Sequence, residues 1–300
     1  MSVRSIGPAC LLAMLVLIAV VPVAAQSSSG PRFEECASEI RSHADWIAEP
    51  DSTWSLTIGL DAGGALRYVG ARHSTDPSDP QFVEIVGAWE TLRPTRAFFE
   101  GPDRGIAATA EETIERFGES GYVRFLAARD SVPVSTLEPS PFDEAAHLRE
   151  RFPEDQVALF YLLREASRLR ERRGMDGPAV EAAIAELLSR ATEMGLLRGE
   201  VTTVEALDRA YRRYWSEPAE WWKAPAAWFD PLLTSEQTGG IFTNDVNRAS
   251  SAYRDRHMAR LLVEAVEAGE RVFAVVGRNH VPLQAPAIVC ALGSGEPSDE

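Results

Sequence analysis

The alternation of apolar and polar positions predicts strands at both ends of the chain and helices between them. Ser55 to Leu60 alternates as a half-buried strand. Asp61-Ala62-Gly63-Gly64 makes a turn, and the run from Ala65 forms a second strand, so the pair reads as a β-hairpin. Phe33 to Trp46 has helical spacing, stopped by Glu49-Pro50-Asp51-Ser52. Gln81 to Leu92 places Phe82, Ile85, Val86 and Trp89 on one helix face. Arg96 to Gly101 is a third strand. The helical crossover before it predicts parallel pairing with the strand at Ala65. Ala107–Arg116 and Tyr122–Asp130 read as two helices around a glycine-bearing break at 117–121, and Val132 to Pro139 as a fourth strand.

From 141 to 215 the period is helical throughout. One helix opens at Pro153 and runs to Arg173, another spans Val180–Met194, and Thr202-Thr203-Val204-Glu205 starts a third. Arg168, Arg170, Arg172 and Arg173 read as a solvated face. Trp215 to Phe229 carries four of the seven tryptophans among prolines, so it is no single regular helix. Its aromatics serve either as a binding wall or, the favoured reading, as a staple between the helical block and the rest. A helix from Thr243 or Asn244 to about Ala268 leads into a final apolar strand, Arg271 to Gly277. The expected fold class is α/β: a mixed central sheet flanked by helices, with a helical insertion at about 141–230.

The first residues follow a different pattern. Arg4, an apolar run from Cys10 to Val21 and the small residues Val23-Ala24-Ala25 make 1–25 an expected signal peptide. The chain is then exported, periplasmic or extracellular, and meets a membrane only through that segment if it stays uncleaved. Residues 26–292 form one domain, and 293–300 an acidic tail expected to be disordered. Cys36 and Cys290 then remain; either a disulfide joining the two ends or two separate buried thiols fits. The formal charge of −15 opposes nucleic-acid binding and adsorption to anionic lipid.

Two strands end alike. Gly70-Ala71-Arg72-His73 and Gly277-Arg278-Asn279-His280 both read Gly-x-x-His at a strand's carboxyl end, where open α/β sheets leave a crevice. The glycine is expected to let the chain turn sharply as it leaves the sheet. Glu100 and Glu138 close the two strands between them, and each could equally cap the following helix. There is no Gly-x-Ser-x-Gly elbow and no His-Glu-x-x-His, which argues against a serine hydrolase of that fold and a zincin.

Gly70 with His73, Glu100, Arg254 with Met258, and Gly277 with His280 resemble the pattern of the TraB/GumN/Tiki superfamily, whose broader relatives are erythromycin-esterase-like and ChaN-like proteins. Asp255 stands where that pattern usually has Asn. The resemblance implies a mixed α/β core with both histidines at one site, and hydrolysis as the activity. Tiki-type members are metal-dependent proteases; erythromycin-esterase-like members open a lactone with His and Glu residues; ChaN-like members bind haem. For this chain the resemblance implies cleavage of an amide or ester bond in a peptide or small ester. A divalent metal ion would sit on His73, His280 and Glu100, with Glu138 or Glu119 as general base, Arg254 on the oxyanion and His257 as an accessory group. In the metal-free version His73 takes the proton from water and a glutamate orients it. The alternative is a non-catalytic haem- or ligand-binding exported protein. His43 and His147 have no recognisable constellation around them.

Overall fold

The computed structural model describes residues 30–61, 63–197 and 199–293. The expected signal peptide and all of the acidic tail beyond Gly293 lie outside them. The fold is mixed α/β, a five-stranded sheet flanked by helices. The chain starts with α1 (Gly30–Cys36), a 3-10 turn (Ala37–Glu39) and α2 (His43–Ala48). The single helix expected over Phe33–Trp46 is therefore two, because residues 40–42 leave helical geometry and Ser42 opens α2 with a capping box onto Asp45.

Next come β1 (Ser55–Gly59) and β2 (Ala65–Ala71), antiparallel as expected for a hairpin. α3 (Gln81–Leu92) leads to β3 (Arg96–Phe99), α4 (Ala110–Asp130) and β4 (Val134–Thr136). After them come α5 (Pro141–Arg149), α6 (Glu154–Arg173), α7 (Gly177–Glu193), α8 (Val204–Arg212) and α9 (Ser235–Thr238). Finally, α10 (Thr243–Glu267) feeds β5 (Arg271–Gly277), which is followed by α11 (His280–Leu292).

The strand order is β1-β2-β5-β3-β4, parallel except for β1. This corrects one expectation: β3 does run parallel to β2, but β5 lies between them and pairs with both. The physical reason is burial. Val272 to Val276 is a continuous apolar run, all of it fully buried, which only the centre of a sheet covered on both faces accommodates. β1 at the edge instead alternates, with Leu56 and Ile58 inside and Thr57 exposed.

The side-chain period of two divides β5 between two cores. Val272, Ala274 and Val276 join Leu262, Val263 and Ile288 of α10 and α11. Phe273 and Val275 face Ile85 and Trp89 of α3 and Val123 and Leu126 of α4. A third cluster belongs to the helical block and holds Phe160, Leu163, Ile184, Leu188 and Tyr211. Trp215, Trp221 and Trp228 are buried in it, with Trp215 and Trp228 stacked at 4.8 Å and their indole N–H groups donating to Gly239 O and Thr238 O. The tryptophans thus staple the block together. Helix α10 spans two clusters, Val246 and Ala249 in the helical one and Met258, Leu262 and Val266 under the sheet. Cys36 and Cys290 form a disulfide between α1 and α11, and no helix among the described residues is long and apolar enough to cross a membrane.

Candidate active site

The carboxyl ends of β2, β3 and β5 open onto a cleft of about 460 Å³ lined by His43, His73, Glu100, Gly277, Arg278 and His280, among others. The two Gly-x-x-His motifs meet here because β2 and β5 are register partners, with Ala71 opposite Gly277. Their glycines serve close approach and not turning. A Cβ on Gly277 would lie 3.2 Å from a Glu100 oxygen and 3.3 Å from His73 Nε2. One on Gly70 would lie 2.7 Å from the Arg278 Cα and 2.8 Å from the Trp54 carbonyl, so a side chain at either position would disturb the cleft. Neither glycine has a positive φ.

Glu100 is the hub. One of its oxygens accepts the Gly277 N–H at 2.5 Å; the other lies 3.4 Å from His280 Nε2 and 3.6 Å from an Arg254 nitrogen. Burial opposes its charge, but His280, Gly277 and Arg254 outweigh that and hold the carboxyl down at about 2. His280 responds in the opposite sense. Burial works against its protonation, yet Asp255, 2.6 Å from Nδ1, and Glu100 together raise it to about 10. At neutral pH the ring is an imidazolium that donates from both nitrogens. Asp255, almost wholly buried, also accepts from Gln284 Nε2 at 2.7 Å, and the Gln284 oxygen accepts from the buried Tyr68 hydroxyl at 2.9 Å.

His73 is different. Its Nδ1 lies 2.6 Å from Glu119, whose side chain is buried, while its own side chain is 76% exposed. The hydrogen bond to Glu119 raises its pKa above 6.5, against partial burial and the charge of Arg172. In the neutral ring Nδ1–H donates to Glu119, and Nε2 carries its lone pair on the side facing Gly277 and Glu100. Glu119 reaches this position because α4 kinks at Gly118, with φ 60° and ψ −150°, a conformation open essentially to glycine alone.

The residues expected at the site therefore gather, though several change role. Glu119, a candidate base, positions His73 instead. Glu138, the other candidate, is engaged by both oxygens with the Arg254 guanidinium at 2.8 and 2.6 Å. Arg254 fixes two carboxylates and is not a free oxyanion donor; burial disfavours its charge, but Glu138 and Glu100 raise its pKa above the ordinary arginine value. His257 is not brought to the cleft: its Nδ1 lies 3.4 Å from Arg260, and its ring stacks by Tyr253. His147 also stacks on Tyr253, at 4.5 Å, and does not line the cleft.

His43 is the site residue that sequence reasoning left out. It lines the cleft, and its pKa is lowered by burial, with the charges of Asp255 and His280 acting on it in opposite senses. No local motif flags it, since α2 is brought alongside α11 by long-range contacts such as Arg41 N–H to Leu283 O at 3.0 Å.

A divalent ion held jointly by His73, Glu100 and His280 would use the two Nε2 atoms, with Glu119 and Asp255 orienting the rings from behind Nδ1. In the structure His280 Nδ1 faces Asp255 at 2.6 Å and Nε2 faces Glu100 at 3.4 Å. Among the described residues, no group of three or more His, Cys, Asp or Glu is disposed to hold an ion. Compared with protein-family models, curated proteins and solved structures, the chain has no significant match to any of them.

Proposed function

We propose that the protein is an exported hydrolase of the TraB/GumN/Tiki type that cleaves an ester or amide bond in a peptide or small ester with water activated by His73. The reading rests chiefly on the pairing of His73 with buried Glu119, which leaves Nε2 turned toward a fixed, ionised Glu100 in an open cleft. A neutral imidazole with a carboxylate behind it is a competent general base. His73 Nε2 takes the proton of a water that donates its second hydrogen bond to Glu100. The oxygen attacks the carbonyl carbon, and Glu119 and Glu100 stabilise the imidazolium that forms. His73 then hands its proton to the departing alkoxide or amine.

Glu100 cannot relay that proton itself, because its carboxyl is held at about 2. Its part is to fix the water, and that of His280, Arg254 and the Gly277 N–H is to keep Glu100 charged and oriented. In this reading residues 141–230 are a helical insertion carried by one α/β domain, removal of 1–25 precedes activity, and the Cys36–Cys290 bond matches an oxidising compartment.

The test is hydrolysis of 4-nitrophenyl butyrate and of a peptide panel by the wild type and His73→Ala, with elemental analysis and chelator treatment beside it. We expect turnover to fall by about 10² or more in His73→Ala and to survive chelation. Equal turnover by the two proteins overturns the proposal. Loss on chelation with recovery on adding a divalent ion would instead reassign His73 and Glu100 as ligands. A Soret band on haem titration, with no hydrolysis of any substrate, would favour the ligand-binding alternative.

A further inference from the structure

Three arginines at a spacing of four, Arg164, Arg168 and Arg172, lie along one side of α6, so the stripe spans roughly 12 Å. They line a hollow of about 460 Å³ together with Ala226 and Phe229. The acids of that hollow are already neutralised: Glu165 pairs in bidentate fashion with Arg168, and Glu171 with Arg170. Arg164 and Arg172 have no such ion pair among the described residues. Arg164 lies over the Phe160 ring, 5.6 Å from its guanidinium carbon, and feels the charges of Glu144 and Glu138 without a direct ion pair to either.

The stripe's helix, α6, packs against α10, whose Arg254 reaches Glu100 at the cleft, and the charge of Arg172 bears on His73. The cleft itself adds Arg72 and Arg278, and the neighbouring cavity, which shares His43, adds three arginines more. The three cavities thus carry eight arginines against five carboxylates, in a chain where acids outnumber bases 45 to 30. Arg41, Arg72, Arg168 and Arg248 are in ion pairs, which leaves Arg151, Arg164, Arg172 and Arg278 without one among the described residues, a local positive excess inside an acidic molecule.

We propose that the substrate carries an oxyanion group, carboxylate or phosphate, away from the scissile bond, and that Arg164 and Arg172 hold it while His73 works on that bond. This rests on the hydrolytic reading above. The planar fork of arginine matches both oxyanions, and binding at the stripe orients the carbonyl over the cleft.

Mono-4-nitrophenyl succinate and 4-nitrophenyl butyrate present acyl chains of similar size with and without a terminal carboxylate. The wild type is expected to favour the succinate by tenfold or more in kcat/KM. Arg164→Gln/Arg172→Gln removes that preference through KM, with kcat for the succinate changed less than threefold. Arg190→Gln on α7, outside the stripe, keeps it. Equal kcat/KM for the two esters in the wild type, or a preference that survives the double variant, overturns the proposal while leaving hydrolysis by His73 standing. If neither ester is turned over, the hydrolytic reading fails separately, and calorimetric titration with inorganic phosphate decides the stripe. Binding weakened tenfold in the double variant supports it; absent binding, or binding unchanged in the variant, sinks it.

Discussion

At the scale of single residues, the two histidines of one repeated motif are both pushed toward protonation by carboxylates behind them, but only one keeps a nitrogen clear of an acid. His280 has a carboxylate at each nitrogen and is charged at neutral pH. His73 has one, Glu119, and keeps a free nitrogen. Because a general base works in its neutral form, activity should fall as pH drops through the pKa of His73, which Glu119 raises above the ordinary histidine value. Glu119→Gln removes the charge that raises it, while burial and Arg172, which lower it, stay in place. The acid limb of kcat/KM should therefore move to lower pH, and the plateau should fall by roughly 10–10³ because the imidazolium loses its counter-charge. A pH–rate profile of the variant reads both effects. A limb that stays where it was would remove His73 from the role of base.

At the scale of elements, the sequence was most legible where one local pattern decides the outcome. The bounds expected for α3 match those observed, and the continuous apolar run of β5 identified a fully buried strand. Pairing order was not legible, because whether β5 lies beside β2 or beyond β3 depends on which strands the two helical layers cover, and neither run encodes that locally. Charge pairing was illegible for the same reason. Glu119 and Glu138 look alike in sequence, yet one meets an imidazole and the other a guanidinium more than a hundred positions away. The glycine-bearing break in α4 was visible, though its use in aiming Glu119 was not.

That break is testable at the same scale. A Cβ on Gly118 must adopt φ 60°, ψ −150° and sit 3.0 Å from the Ser74 carbonyl oxygen, so Gly118→Ala should cost about 1–3 kcal/mol in urea unfolding. Its kcat should fall by more than a stability loss alone would cause, because Glu119 turns away from His73. Gly87→Ala on α3 is the contrast. It is a helical glycine with nothing within 4 Å of the added carbon, so stability should rise by about 0.5–1 kcal/mol with activity unchanged.

At the scale of the whole molecule, the helices before the hairpin attach to the sheet domain through α11. Phe33 is buried in the sheet-side core, Arg41 N–H bonds Leu283 O, and the Cys36–Cys290 bond closes a loop of 254 residues. In an unfolded chain that link removes most of the freedom of the two ends, which stabilises the fold by about 2–4 kcal/mol. The cleft does not depend on it directly: β2, β3 and β5 hold His73, Glu100 and His280 through their own ladders. Cys36→Ser/Cys290→Ser should therefore lower Tm by roughly 5–15 °C under non-reducing conditions, while kcat at 25 °C stays within about twofold. The wild type under reductant should approach the variant, so scans of both proteins with and without dithiothreitol isolate the bond from the substitutions. A Tm that is the same in all four scans would mean that packing of Phe33 and the Arg41–Leu283 bond secure the amino-terminal helices unaided. The sequence alone, with both cysteines near the ends of the chain, could not rank the disulfide above two buried thiols; the antiparallel seating of α1 on α11 decides it.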